Sequence, residues 1–258
     1  MPYSDEQVEE MEVFYRESLD RADAMTTQLF VRAYRHQDTR EVIVHGFYRR
    51  LDTLRHCIER VFEELPPQEE KPERGTLMDV TVMVQAFYIN VLGAIDNLAR
   101  IWVREANVTL ANGDPLPDRF IGFTARNRAV RDSLPAPMKA YLTGTRNTAW
   151  FDYLENYRHA LAHRIPLYVP PKQVNEAEAE EARQLEEEVC RAYREDRIGD
   201  VPGLRSRQIS LGRFEPMIMH SYGEGARPVR FHVQMLTDYS TVIEFAEHVL
   251  AEVDDLPR

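Results

Sequence analysis

Apolar residues recur every three or four positions along most of the chain, which is the spacing of amphipathic helices. A capping-box pattern that starts at Ser4 predicts the beginning of a first helix, and the periodicity carries this helix to about Tyr34. The next periodic segment predicts a helix over residues 40–64, which a proline pair ends. The N-terminal part of the chain should therefore form two long helices.

The segment that follows is the most apolar one in the chain. A helix is predicted to start near Thr76, and its body is apolar on nearly every side, as is typical of the buried central helix of a bundle. Two short helices are predicted around residues 126–134 and 137–142. A stronger helix follows from about Asn147 and ends at Pro166. Residues 1–168 are thus expected to form a helical bundle.

The last third of the chain has a different pattern. Residues 172–196 are rich in glutamate and carry only a narrow apolar stripe, which predicts a solvated helix. Residues 208–219 and 229–236 have strand character, and the glycine-containing link between them predicts a β-hairpin over residues 205–236. A closing helix is predicted over residues 237–254. The expected fold is a single, mainly α-helical domain, an antiparallel bundle with a small C-terminal β-hairpin.

The charges are unevenly distributed. The chain holds 32 basic and 43 acidic residues, a net charge of −11, which disfavours a protein that coats duplex nucleic acid. Residues 173–196 alone hold nine acidic and three basic side chains, so basic patches remain possible elsewhere. Only three of the basic residues are lysines, and the arginines are suited to grip phosphate through two parallel hydrogen bonds.

Neither a membrane span nor a secretory signal is predicted. The longest stretch without a charged residue, Val80–Ile95, has 16 residues, whereas a membrane-spanning helix needs roughly 20. The N-terminal residues are acidic and contain no apolar segment. We therefore expect a cytoplasmic protein in which Cys57 and Cys190 stay reduced.

Several common catalytic motifs do not occur in the sequence, namely GxxxxGKS/T, GxGxxG, GxSxG and HExxH. The densest group of functional side chains lies on the helix before Pro166. At about 100° per residue, one side of this helix, opposite its apolar side, carries Asp152, Asn156, His159 and His163. Arg158 lies at the border between the two sides. This polar side is either a plain solvated surface or the lining of a cleft or partner surface.

The segment Arg158-His-Ala-Leu-Ala-His163, near the end of a helix in a helical bundle, resembles the Arg-polar-xxx-His motif of the HEPN superfamily (higher eukaryotes and prokaryotes nucleotide-binding domains). The segment GAIDNLAR of the central helix resembles the family more loosely. The resemblance implies a mostly α-helical homodimer, with two motifs meeting across the interface, that often cleaves RNA without a metal or cofactor. It also implies a role as a toxin or defence component with an antitoxin partner.

The resemblance makes Arg158 and His163 the expected catalytic residues. We expect supporting or substrate-binding roles for His159, Asn156, Asp96, Asn97 and Arg164. The chemistry is consistent with RNA cleavage, in which the ribose 2′-OH loses a proton and the leaving 5′-oxygen gains one. Histidine titrates near neutrality and can serve either step, while arginine can hold the charge on the phosphate.

Other segments of the chain share the arginine-to-histidine spacing. These are Arg40 to His45, Arg213 to His220 and Arg227 to His232. Arg227 precedes a proline beside the predicted hairpin, and Arg40 opens its helix instead of ending it. The helical context therefore favours Arg158 and His163.

Two other classes of function compete for the same residues. Asp152, His159 and His163 lie on one side of the helix and form a possible metal-binding stripe. Alternatively, the protein is a catalytically silent helical interaction or nucleotide-binding module, and in the interaction module Arg158 is a structural ion-pair partner. On the central helix, Asp96 is expected either to pair with Arg100 or, like Asn97, to orient the motif residues.

Overall fold

A computed structural model of the protein describes residues 2–221 and 228–256 and shows a mainly α-helical chain with one small antiparallel hairpin. The N-terminal elements are α1 (Asp5–Val31), α2 (Gln37–Glu41), a π-helical segment (Val42–Tyr48), α3 (Arg49–Glu64) and α4 (Arg74–Glu105). The remaining elements are α5 (Arg128–Ser133), α6 (Ala136–Thr143), α7 (Thr145–His163), α8 (Glu176–Arg194), α9 (Val201–Ser210), β1 (Met217–Ile218), β2 (Val229–Arg230) and α10 (Phe231–Asp254). The predicted fold class is confirmed.

Helix α1 begins as predicted. The side chain of Ser4 accepts a hydrogen bond from the backbone N–H of Gln7, and the Gln7 side chain accepts one from the backbone N–H of Ser4. The helix ends at Val31 rather than near Tyr34. The predicted helix over residues 40–64 is a continuous helical run over residues 37–64 that contains the π-helical segment. A π-helical turn inserts extra backbone into a helix and is frequent at functional sites.

Helix α4 is the centre of the bundle and packs against α3, α7 and α10. It starts at Arg74, two residues before the predicted start. It is not buried all round, because Met78, Val82 and Ile89 are 60%, 57% and 54% exposed. By length and composition alone α4 is able to cross a membrane, a criterion that the core helix of a bundle also meets.

Helix α10 replaces most of the second predicted strand and extends the predicted closing helix backwards. β2 contains only two residues, and the helix already begins at Phe231. The side chains of Phe231, Met235, Tyr239 and Val242 are buried, at spacings of three and four residues, where α10 packs against α1, α3 and α4. Tertiary packing of a helical stripe therefore overrides the alternating apolar pattern of residues 229–236.

The first predicted strand is also mostly wrong. Residues up to Ser210 belong to α9, and only Met217 and Ile218 pair with β2, opposite Arg230 and Val229. The predicted hairpin over residues 205–236 is thus reduced to two residues on each strand. Its predicted link lies almost entirely at residues 222–227, outside the described residues.

Residues 173–213 form a protruding helical arm made of α8 and α9. The two helices share a small core of their own, with buried Val189, Ala192 and Val201. Arg205 and Arg207 of α9 pair with glutamates of α8, the latter with Glu181 at 3.2 Å. The arm closes at its base, where the backbones of Gln173 and Arg213 exchange two hydrogen bonds of 2.8 and 3.0 Å. The predicted acidic helix therefore exists, and α9 covers its apolar stripe.

Candidate functional site at the end of α7

The exposed end of α7 carries the predicted motif. Trp150, Leu154 and Tyr157 are buried against the core, whereas Arg158 and His163 are exposed. The helix ends at His163, and the backbone N–H of the next residue still donates to the carbonyl of Ala160. The prediction that His163 faces away from the core is therefore confirmed, and Arg158, predicted at the border, lies on the exposed side.

One chain does not bring Arg158 and His163 together. They are five positions apart, which turns the helix by about 140° and advances it by about 7.5 Å. His163 instead neighbours His159, with ring centroids 6.3 Å apart. Within the described residues, neither Arg158 nor His163 has a hydrogen-bond or ion-pair partner. Both side chains are free to meet a ligand or another chain.

Asp96 of α4 lies within electrostatic range of Arg158. Burial raises the pKa of this half-buried carboxyl group, and the positive charges of Arg158, Arg100 and Arg50 oppose that shift. Among the described residues, no side chain donates a hydrogen bond to Asp96. A carboxylate with a raised pKa that faces three guanidinium groups is a candidate functional residue.

The predicted pair between Asp96 and Arg100 is wrong. Arg100 reaches instead to Asp118, with Nη1 2.7 Å from Oδ1. The loop after α4 brings Asp118 to this position. Because Asp118 is exposed, its ion pair with Arg100 does not carry the cost of burying a carboxylate. Asp96 therefore interacts with Arg100 only through space, as it does with Arg158 and Arg50.

Arg50 is a member of the site that the sequence analysis missed. Its Nε donates to Oδ1 of Asn97 at 3.1 Å, and its Nη1 donates to Oδ1 of Asn90 at 3.0 Å. Its guanidinium lies over Gly93, where a Cβ atom would approach it to 2.3 Å. The sequence signal was a glycine flanked by two asparagines on one side of an apolar helix.

Asn97 therefore does not orient the motif residues as predicted. Its side chain is committed to Arg50 and packs beside Gly46 of the π-helical segment, where a Cβ atom would lie 2.8 Å from Nδ2 of Asn97. The π-helical segment, a glycine at position 46 and a glycine at position 93 together let Arg50 and Asn97 lie side by side. This arrangement fixes one wall beside Asp96.

Asn156 is not on an open surface, contrary to the helical-wheel prediction. Its Oδ1 is 2.6 Å from Nε2 of His220, a fully buried residue that follows β1. The backbone carbonyl of Asn156 accepts a hydrogen bond of 3.2 Å from Nη2 of Arg164. The contacts of Asn156 with His220 and with Arg164 thus stabilise the end of α7. His220 lies 64 positions away in sequence, so no local pattern predicts this contact.

The other arginine-histidine pairs differ in their exposure. His220 and His232 are fully buried, and burial lowers the pKa of His232 to about 4. Arg227 lies outside the described residues. Arg40 and His45 are both exposed, and His45 belongs to the π-helical segment, so this pair is the accessible rival of the α7 motif.

The predicted metal stripe is not assembled within one chain. In the described part of the chain, no group of three or more histidine, cysteine, aspartate or glutamate side chains has the geometry to hold a metal ion. Asp152, His159 and His163 are all exposed, and they span eleven positions of α7, or about 16 Å. Three ligands of one ion lie far closer together than this.

A buried polar network lies on the opposite side of α7, and the sequence analysis missed it. Oδ1 of the fully buried Asp238 accepts hydrogen bonds from Trp150 Nε1 at 2.7 Å and from Gln234 Nε2 at 2.8 Å. Tyr153 contacts Oδ2 at 3.2 Å and the hydroxyl of Tyr88 at 2.5 Å. Burial raises the pKa of Asp238 to about 7. The network ties α10 to α7 and α4.

No protein-family model, curated protein or solved structure significantly matches the chain. The assignment of a function therefore depends on the exposed residues at the end of α7 and on their neighbours on α4.

Proposed function

We propose that the protein is a HEPN-type ribonuclease that cleaves RNA without a metal ion, at a composite site formed by the α7 helices of two copies. The observation that carries the proposal is that Arg158, His159 and His163 are exposed at the end of α7, where Arg158 and His163 have no hydrogen-bond or ion-pair partner among the described residues. A cytoplasmic toxin or defence role with an antitoxin partner belongs to the same proposal.

The reaction is a transesterification. One His163 removes the proton from the ribose 2′-OH, whose oxygen forms a bond to phosphorus. The bond from phosphorus to the 5′-oxygen breaks, and the His163 of the other copy returns a proton to that oxygen. The products are a 2′,3′-cyclic phosphate and a free 5′-hydroxyl group. Arg158 stabilises the negative charge on the non-bridging oxygens.

Two features support a second copy. Arg158 and His163 of one chain lie on different sides of α7, so an Arg158 from one copy and a His163 from the other can face one phosphate. The central helix also exposes Val82 and Ile89 on one side, and Asp96 lies further along the same side. Burying these apolar side chains against a second copy would bring the two motif helices near each other.

The test is incubation of the protein with mixed RNAs in EDTA. We expect cleavage that leaves 2′,3′-cyclic phosphate ends, and we expect His163→Ala and Arg158→Ala each to lower the rate at least about 100-fold. His45→Ala is the matched control, because it removes an exposed histidine of the rival motif, and it should keep full activity. Since both histidines are exposed, His163→Ala and His45→Ala should stay within about 0.5 kcal/mol of the wild-type stability. Arg158→Ala also removes a positive charge near the half-buried Asp96, so its melting temperature separates a loss of activity from a loss of stability.

Three outcomes would contradict the proposal. An active His163→Ala protein would remove the assigned catalytic residue. Cleavage that requires added divalent ions would favour a metal-dependent mechanism in which Asp152, His159 and His163 are ligands shared between copies. A wild-type protein that cleaves no RNA would favour the interaction module.

A further inference from the structure

A large cleft lies away from the α7 motif, between the bundle and the base of the helical arm. Its walls are the beginning of α4 with the loop before it, residues 168–172, and residues 209–215. Its volume is about 1160 Å³, which is sufficient for a small organic ligand. No local sequence pattern predicts the cleft, because its three walls come from distant parts of the chain.

The cleft is basic although the chain is acidic. Four of its lining residues, Lys71, Arg74, Lys172 and Arg213, are basic, whereas Glu70 is one of only two acidic ones. This local excess of positive charge contrasts with the net charge of −11 for the whole chain. A cleft of one sign focuses the electrostatic potential and attracts ligands of the opposite sign.

Some of these cations are already engaged and others are not. Lys172 donates to the carbonyl oxygens of Ile209 and Leu211, and thereby caps α9. Arg213 contacts Glu215 through Nε at 3.0 Å, and its exposed Nη groups have no partner in the described part of the chain. Within the described residues, the side chains of Lys71 and Arg74 have no hydrogen-bond or ion-pair partner. Three cationic groups are therefore available to a ligand.

The floor of the cleft is apolar and partly aromatic. Leu77 and Met78 of α4 line it together with Phe214, and Tyr168 stands at its wall. Met78 is 60% exposed although it is large and apolar. A ligand that fits has an anionic end for the cations and a flat, apolar body for the floor.

We propose that this cleft binds a nucleoside phosphate. A phosphate group carries about −1.5 to −2 charges at neutral pH, and its oxygens accept hydrogen bonds from Lys71, Arg74 and the Nη groups of Arg213. The base lies on the apolar floor of Met78 and Phe214. The ligand is either a free nucleotide or the 5′-phosphorylated end of a strand, which present the same chemistry. The inference is independent of RNA cleavage at α7.

Calorimetric titration of the full-length protein tests the inference. The probes are ADP, adenosine, inorganic pyrophosphate and a 5′-phosphorylated trideoxyadenylate, which lacks the 2′-OH that the proposed cleavage needs. We expect ADP to bind, pyrophosphate to bind more weakly than ADP, and adenosine not to bind. Tighter binding of the trideoxyadenylate than of ADP would identify a strand end as the natural ligand, and the reverse would identify a free nucleotide.

Paired charge-removal variants locate the binding. Lys71→Ala combined with Arg74→Ala should weaken ADP binding at least tenfold. Arg126→Ala combined with Arg128→Ala is the matched control, since it removes two exposed cations outside the cleft, and it should change the affinity less than twofold. Melting temperatures verify that all variants fold. Equal weakening by both pairs, pyrophosphate binding as tight as ADP, or no binding of either nucleoside phosphate at millimolar concentration would overturn the inference.

Discussion

Burial raises the pKa of the carboxyl group of Asp238. The residue is fully buried, and the donors Trp150 and Gln234 do not compensate for the loss of water, so its pKa rises to about 7. An unfolded aspartate has a pKa of about 3.9. Between these two values the native state keeps a proton that the unfolded state has lost. The contribution of Asp238 to the free energy of unfolding therefore falls as pH rises from about 4 to about 7.

We predict that Asp238→Asn removes this slope. The amide oxygen can still accept from Trp150 and Gln234, so the network survives in a form that does not titrate. The variant should gain stability relative to the wild type as pH rises from 5 to 8, by roughly 2 to 3 kcal/mol. Urea unfolding at several pH values measures the difference.

A second titrating group and a control variant bear on the difference in stability between Asp238→Asn and the wild type. His232 is buried with a pKa lowered to about 4, so it adds a loss of stability below about pH 6.5 in both proteins and cancels in the difference. Asp152→Asn removes an exposed carboxyl group of α7 and should follow the wild type at every pH. A constant difference between Asp238→Asn and the wild type would mean that the buried carboxyl group does not titrate in this range.

The contact between α3 and α4 depends on Gly93, which lets the guanidinium of Arg50 lie on the central helix. Alanine at this position should raise helix propensity by about 1 kcal/mol but displace the guanidinium from Asn90 and Asn97. We predict that Arg50→Ala costs about 1 to 3 kcal/mol in the wild type and much less in a Gly93→Ala background. Chemical unfolding of the two single variants and the double variant measures this coupling. If the stability changes of the two single variants add up to that of the double variant, the stabilisation by Arg50 does not depend on Gly93.

Helices were predictable from the sequence where a local signal exists, and unpredictable where a distant segment decides. The capping box at Ser4 and the apolar period gave α1, and the proline pair gave the end of α3. The exposure of the α7 motif also followed from its helical wheel. By contrast, α10 was mistaken for a strand at its start because its burial depends on α1, α3 and α4. The contacts of Asn156 and Arg50 join residues 64 and about 40 positions away from them.

At the scale of the whole molecule, the proposed composite site requires two copies. We predict a particle of about 60 kDa, twice the chain mass of 30.1 kDa, by light scattering at tens of micromolar protein. Val82→Asp and Ile89→Asp place a charge on the exposed side of α4 and should give monomers. Val13→Asp, on the exposed side of α1, is the matched control and should leave the dimer intact. A strictly monomeric wild type would rule out the composite site.

The helical arm leaves the bundle and returns to it at one place, because Gln173 and Arg213 are hydrogen-bonded neighbours. The 39 residues between them are therefore a closed detour of the chain, comparable to a cassette inserted into a surface loop. A two-residue Asn-Gly turn can replace residues 174–212 without stretching the backbone. We expect the shortened protein to keep the bundle's cooperative melting, since the arm buries its apolar residues within itself. A shortened protein that no longer folds would show that the detour is part of the bundle after all.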